Sequence, residues 1–522
     1  MKYIITLFLI LIIILTGGYY LLFTASGNDK ITPYINNYIS KKIPKYTKVR
    51  LNNFRLTPTR INANITINDS LNAKIIGDFA LTGKKFDLDY RLFSKRFKVK
   101  NFVMQDKLDL IGKIKGDIEH IFIEGSGKAI NSDVSYTLEI DKKIIKDIQI
   151  DIEKGNLKSL LLLTGQKPFA SGELDLYINM PKLDSKNPIG DAKLVLHQGT
   201  INSDLIYKEF NITLPDNFTY QANLKSKLKN NYATLDGDIK TTLANLFLKN
   251  SKVYYKDKKL LTDYQLVVKE LSKLESLIGK KLKGELNIIG KAMFDKTLML
   301  AGYTKSFGGK IDFTLKDSKV DATLKGVPLT KIMHTLIYPE VFESAVFGDI
   351  EYNFISKRGE INAELVNARF LPNKITTSLK EYAKVDLIKE KYNQTTFTAD
   401  LDANEVLFDF KAKSDKSYIS ILDAKFLKSQ NKIDAKFDIN IDEKDFSGTI
   451  KGNILKPRVK LDTSQYLKTK IIKEVDKFID EKISDKTKQK LQKELEKIGT
   501  RDLNVSKKAE EELRGLFRNL FN

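Results

Sequence analysis

Residues Lys432 to Ile441 read KIDAKFDINI, in which Ile433, Ala435, Phe437, Ile439 and Ile441 are each separated by one polar or charged residue. A period of two places alternate side chains on one face of an extended strand and leaves the others in water. The same alternation runs back through the chain. It appears as Leu108, Leu110, Ile114 and Ile118, as Leu174, Leu176 and Ile178, as Leu286 and Ile288, and as Ile311, Phe313 and Leu315. Short polar stretches separate the runs. Lys316-Asp317-Ser318-Lys319 and Ser414-Asp415-Lys416-Ser417 each sit between two alternating segments and read as hairpins. Long amphipathic helices between strands are largely missing, which excludes a doubly wound parallel sheet. The pattern predicts a mainly β protein built on an antiparallel sheet over residues 47–462.

Glycines recur inside this pattern, as in SGELDLYI (Ser171 to Ile178), LKGELNIIGKA (Leu282 to Ala292) and SGTIKGNI (Ser447 to Ile454). A glycine within a strand marks a bulge, a bend or a close approach. A long sheet with recurring bends is expected to curl into an elongated groove, taco-like, with its apolar face inward. A pair of β-sandwiches would show the same alternation. If about 30 strands stack at about 4.8 Å in one sheet, it reaches on the order of 140 Å.

Helical spacing interrupts the sheet in three places. Ile31, Tyr34, Ile35, Tyr38 and Ile39 predict a short helix over 29–46, Leu271 to Leu277 shows a weaker pattern, and Leu329, Ile332, Met333 and Leu336 predict a helical insert over 328–345. After Asp462 the period becomes helical and stays so over 463–522. The apolar residues of the final LRGLFRNLF, Leu513, Leu516, Phe517, Leu520 and Phe521, are the candidates in this tail for touching a membrane or an envelope protein partner.

Tyr3 to Phe23 contains no charged residue and is long enough to cross a bilayer, so residues 1–28 are expected to be an uncleaved membrane anchor; a removed signal peptide is the alternative. Lys2 is the only charge before the span and the following segment is rich in Lys and Arg. A literal positive-inside count therefore argues for a cytoplasmic body, whereas long domains translocate largely regardless of charge. The body is placed outside the cytoplasm.

The 522 residues carry 88 Lys and Arg against 66 Asp and Glu, a formal charge of +22. The basic residues are spread evenly among acids, without the concentrated basic and aromatic patches of a nucleic-acid binder, so no nucleic-acid partner is expected. With no cysteine, disulfides, thiolate chemistry and lipoprotein anchoring are excluded. His120, His197 and His334 are far apart in sequence and none has a second histidine at metal-ligand spacing. No phosphate loop, zinc-protease helix or nucleophile elbow is present. Neither an enzyme, a metal nor a cofactor is expected.

Several segments together resemble the AsmA and TamB group of Gram-negative envelope proteins. They are the anchor, the strand entry TKVRLNNFRLTPTRINANITIND (Thr47 to Asp69), the repeated glycine-containing strands, the insert VPLTKIMHTLIYPEVFESAVFGDIEYNF (Val327 to Phe354) and the closing FSGTIKGNILKPRVKLDTSQYLK (Phe446 to Lys468). The resemblance covers most of the chain in architecture, without an invariant motif, and does not extend to the helical tail. It implies an inner-membrane protein with a periplasmic body whose β-groove carries phospholipids between envelope membranes. A scaffold for outer-membrane assembly, without lipid transport, is the second expectation. For the groove, the expected lining residues are Leu108, Leu110, Ile114, Ile118, Leu174, Leu176, Ile178, Leu286, Ile288, Ile311, Phe313 and Leu315.

Overall fold

A computed structural model describes residues 16–462 except 43–46, 81–83, 100, 101, 105, 143, 184–187, 384, 442 and 443. The expected tail, with Leu513, Leu516, Phe517, Leu520 and Phe521, lies outside the described residues, as does most of the expected anchor. Residues 16–23 are helical. Among the described residues no helix is long and apolar enough to cross a membrane.

Alternation gives strands throughout. Of the 29 strands among the described residues, 27 belong to one open antiparallel sheet, and Phe97–Val99 pairs with Phe102–Met104 in a separate hairpin. By compactness the chain divides into two units, residues 1–264 and 265–522. In each unit nearly every strand pairs with its neighbours in sequence. The tight turns have the expected chemistry: Lys316 faces Lys319 across Asp317 and Ser318, with Asp317 in the left-handed region at φ 55°.

An antiparallel meander turns alternately at two margins, and here the margins differ. In unit 1 one margin carries only short connections, such as 57–59, 117–119 and 230–231. The other carries every long insert: the Phe97–Met104 hairpin and the helices Leu157–Leu163 and Ser203–Phe210. Unit 2 repeats this, with short connections at 317–318, 354–357 and 402–404 on one margin and the helices Leu329–Leu336 and Lys374–Ala383 on the other. These are termed the hairpin margin and the helix margin.

Most of the inserted helices begin on asparagine. Asn156 accepts from the Ser159 amide at 3.0 Å, Asn202 from the Leu205 amide at 3.0 Å, and Asn373 from the Thr376 amide at 3.2 Å. The helical reading of 328–345 is too long. Its helix ends at Leu336, Ile337 is left-handed at φ 60°, and a strand begins at Phe342. The alternation Phe342, Ser344, Val346, Gly348, Ile350 outweighs the helical spacing before it. The helix expected over 29–46 instead runs from Ala25 to Lys42.

The helix Ala25–Lys42 lies along the edge strand Val49–Leu56. Asn36 donates to the Leu51 carbonyl at 3.0 Å and accepts from the Leu51 amide at 2.8 Å. Asn28, fully buried, accepts from the Leu56 amide, and Asp29 pairs with Arg55 at 2.6 Å. Two side-chain amides thus occupy backbone groups that would otherwise face an unpaired edge.

Candidate functional site

Residues directly opposite one another in paired strands point to the same face. Followed across unit 1, one such row runs Leu51, Ile65, Ala73, Leu92, Leu110, Gly127, Val134, Ile152, Leu176, Leu194, Leu224, Gly237, Leu248. Every member is aliphatic or glycine. The next row toward the hairpin margin contains Ile75, Tyr90, Gly112, Gly125, Tyr136, Ile150 and Ile178, and the one beyond it Leu88, Ile114, Ile123, Leu138 and Ile148.

Unit 2 has its own set. From Ile288 a row passes through Thr304, Ile311, Leu324, Gly348, Ala363, Phe397, Phe410, Ile421, Phe437 and Gly448 to Leu461. Nearer the hairpin margin a second runs from Ala292 through Leu300, Leu315, Val320, Tyr352 and Gly359 to Leu401, Val406, Phe426 and Ile433. A face this apolar across many strands must be covered by something.

Among the described residues the cover is one-sided. At the helix margin of unit 1, Leu108, Ala129, Ile130, Leu157 and Leu174 are buried together, with Leu160, Leu161 and Leu163 packed against them. At the helix margin of unit 2, Val327, Phe342, Leu379, Tyr392, Ile419 and Phe446 form the corresponding core, with Leu329 and Ile332 against it. Toward the hairpin margin the rows remain apolar but are only half-buried, including Ile114, Ile123, Leu138 and Ile148 in unit 1 and every residue from Ala292 to Ile433 in the second row of unit 2. Each unit therefore has a dry side and an open side on one apolar surface.

The expected lining residues divide along this gradient. Ile114, Leu176, Ile178, Leu286, Ile288, Ile311, Phe313 and Leu315 stand half-buried on the apolar face of their unit. Leu108, Leu110 and Leu174 are buried, Leu174 completely. Ile118 does not belong to the set, because its phase carries it past the end of the strand Leu108–Gly116 into the hairpin turn, where it is 59% exposed.

The in-strand glycines acquire a reason that sequence reading missed. Gly112 and Gly125 face each other between Tyr90 and Tyr136, and the two phenols meet over them. A Cβ at Gly112 would lie 2.6 Å from Tyr90 Oη, and one at Gly125 2.7 Å from Tyr136 Oη. Tyr220 lies over Gly199 in the same way, its hydroxyl donating to the Ser171 carbonyl at 3.3 Å. Aromatic rings laid flat over glycines cover backbone while keeping the apolar surface low. Burial, then the Tyr136 hydroxyl, pushes the Tyr90 phenol well above its ordinary range, and burial raises Tyr220, so both stay neutral on this face.

The charged groups lie elsewhere. Asp109 is held below the usual carboxylate range chiefly by the Arg91 guanidinium, which bonds both its oxygens at 2.9 and 3.0 Å. Asp312 is lowered by Lys310 and Lys325, at 2.6 and 2.9 Å. Asp175 is lowered first by the Lys154 amide and then by His197 at 2.8 Å. These ion pairs are exposed. Among the described residues no group of three or more His, Asp or Glu could hold a metal ion.

No family model matches the chain, and no curated protein is similar to it.

Proposed function

We propose that the chain binds phospholipid acyl chains along the open side of its apolar face and conducts them between envelope membranes. The observation that carries this reading is the pair of in-register apolar surfaces, each dry at the helix margin and half-buried toward the hairpin margin. Moving an acyl chain through water exposes about 0.8 kcal/mol per CH₂, and an uncovered aliphatic surface removes most of that cost. Chain ends would point toward the helix margin, where the core is closed. Head groups would sit at the hairpin margin, where water is available. The reading assigns no catalytic role.

The resemblance to AsmA and TamB proteins supports the setting. Residues 3–23 would hold the body to the inner membrane, the body would lie in the periplasm, and the cargo would serve the outer membrane. Purified full-length chain is expected to retain co-extracted phospholipid, detectable by mass spectrometry. Ile288→Lys combined with Phe313→Lys should strip most of it from unit 2. Purified protein without lipid, together with a fully functional double variant, would overturn the proposal and favour an assembly scaffold.

A further inference from the structure

The opposite face of unit 1 carries a concavity of about 790 Å³, crossing seven strands from Leu71–Ala80 to Glu173–Lys182. Six strand spacings make it about 29 Å long. Its two walls are rows in register. One contains Arg91, Ile111, Ser126, Ser135, Asp151 and Tyr177; the other contains Asp89, Lys113, Glu124, Thr137 and Gln149. The depression has a simple origin, since short Ser126 and Ser135 occupy the middle while long Arg91 and Tyr177 stand to either side. Directly behind are Gly112 and Gly125, which place only backbone at the floor.

The lining restricts what can bind. Lys74, Arg91 and Lys113 are balanced by Asp89, Glu124 and Asp151, three against three, so the trough has no net charge in a chain of +22. Arg91 is already committed to Asp109, and Lys113 lies 3.7 Å from Asp89. A phosphate or a polyanion would find no cluster of uncommitted cations. An added peptide strand would find no edge, because the backbone here is already paired on both sides. What remains is a run of neutral hydroxyl and amide groups, Ser126, Ser135, Thr137 and Gln149, each able to donate and accept. Tyr177 and Ile111, 41% and 57% exposed, add apolar platforms on the same face.

Hydroxyl and amide partners flanked by apolar platforms, in an elongated trough without net charge, match a sugar polymer. A pyranose presents hydroxyls at its rim and C–H bonds on its faces, and those faces pack on aromatic rings. We propose that this trough binds a neutral glycan chain laid across the strands of unit 1. The site is on the other face from the acyl-chain surface and is independent of it.

Calorimetric titration of purified full-length protein with cellohexaose, chitohexaose and an oligogalacturonate tests the proposal. Saturable binding of at least one neutral oligomer, with weaker binding of the acidic one, is expected. Tyr177→Ala should weaken binding about tenfold, and Ser135→Lys, which fills the middle of the trough, should abolish it. Both should leave retained phospholipid unchanged. If Ser135→Lys lowers the thermal midpoint, the exposed Tyr177→Ala decides alone. Absence of saturable binding to both neutral oligomers, tighter binding of the oligogalacturonate, or wild-type affinity in Tyr177→Ala overturns the proposal.

Discussion

The helix margin and the hairpin margin of each unit are built from the same alternating strands, yet they end in different physical states. At the helix margin Phe342 sits edge-on against Phe370 and Phe410, at 4.8 and 5.4 Å, and Tyr392 and Leu379 are sealed from water. Toward the hairpin margin Tyr352, at the far end of the strand that Phe342 begins, and Leu401 show the same alternation but are only half-buried. Strand pattern therefore sets which face is apolar, and the inserts set how much of that face the protein keeps for its own stability. The remainder is the surface to which the proposed function assigns the lipid.

Substitutions should separate the two margins. Phe342→Ala opens a cavity in a closed aromatic core and is expected to cost about 3–5 kcal/mol, read from denaturant unfolding. A cost below about 1 kcal/mol would mean that the helix margin is no drier than the other.

The second test is alkaline. Burial pushes the Tyr392 phenol up to about 12, above its unfolded value near 10, so the folded state favours the neutral form. Its contribution is fully present below about pH 10 and is lost as pH rises through about 12, on the order of 2 kcal/mol. Tyr392→Phe should remove that part of the alkaline loss; equal losses in both proteins would contradict a sealed margin.

On the open side, Leu315→Lys should change stability by less than about 1 kcal/mol, because a half-buried site lets the ammonium reach water. Retained phospholipid should nonetheless fall, measured per mole of protein. Loss of stability with lipid content intact would reverse the assignment of the two margins.

The smallest effect is expected at the exposed ion pairs. Asp109 and Asp312 have lowered folded pKa values, so their contribution is present above about pH 4 and lost as pH falls through the folded values. A modest drop of the thermal midpoint below pH 4, reduced in Arg91→Gln, is the expected outcome.

Much of the architecture was legible in the sequence because period two survives in nearly every strand. Ile433 to Ile441 and Ile311 to Leu315 needed no tertiary information to be placed on one face. The dry side was not legible. Leu157–Leu163 and Lys374–Ala383 are too short for helical periodicity to stand out, and only their capping asparagines, Asn156 and Asn373, could have marked them. Without those helices Leu108 and Leu174 look the same as Ile114 and Leu176, although the first pair is buried and the second half-buried. Ile118 failed for a related reason, since alternation in a chain does not announce where the strand stops. The polar trough was invisible because it depends on the register of seven strands, and no local pattern relates Ser126 to Ser135 and Asp151.

The two asparagines on the helix Ala25–Lys42 have a practical consequence for anyone expressing this protein. Asn28 and Asn36 stand in for a missing neighbouring strand, so a fragment trimmed to begin at residue 47 would expose the backbone of Leu51 and Leu56 along a ready template. Such a fragment would self-associate edge to edge, and its oligomers would report on where the chain was cut.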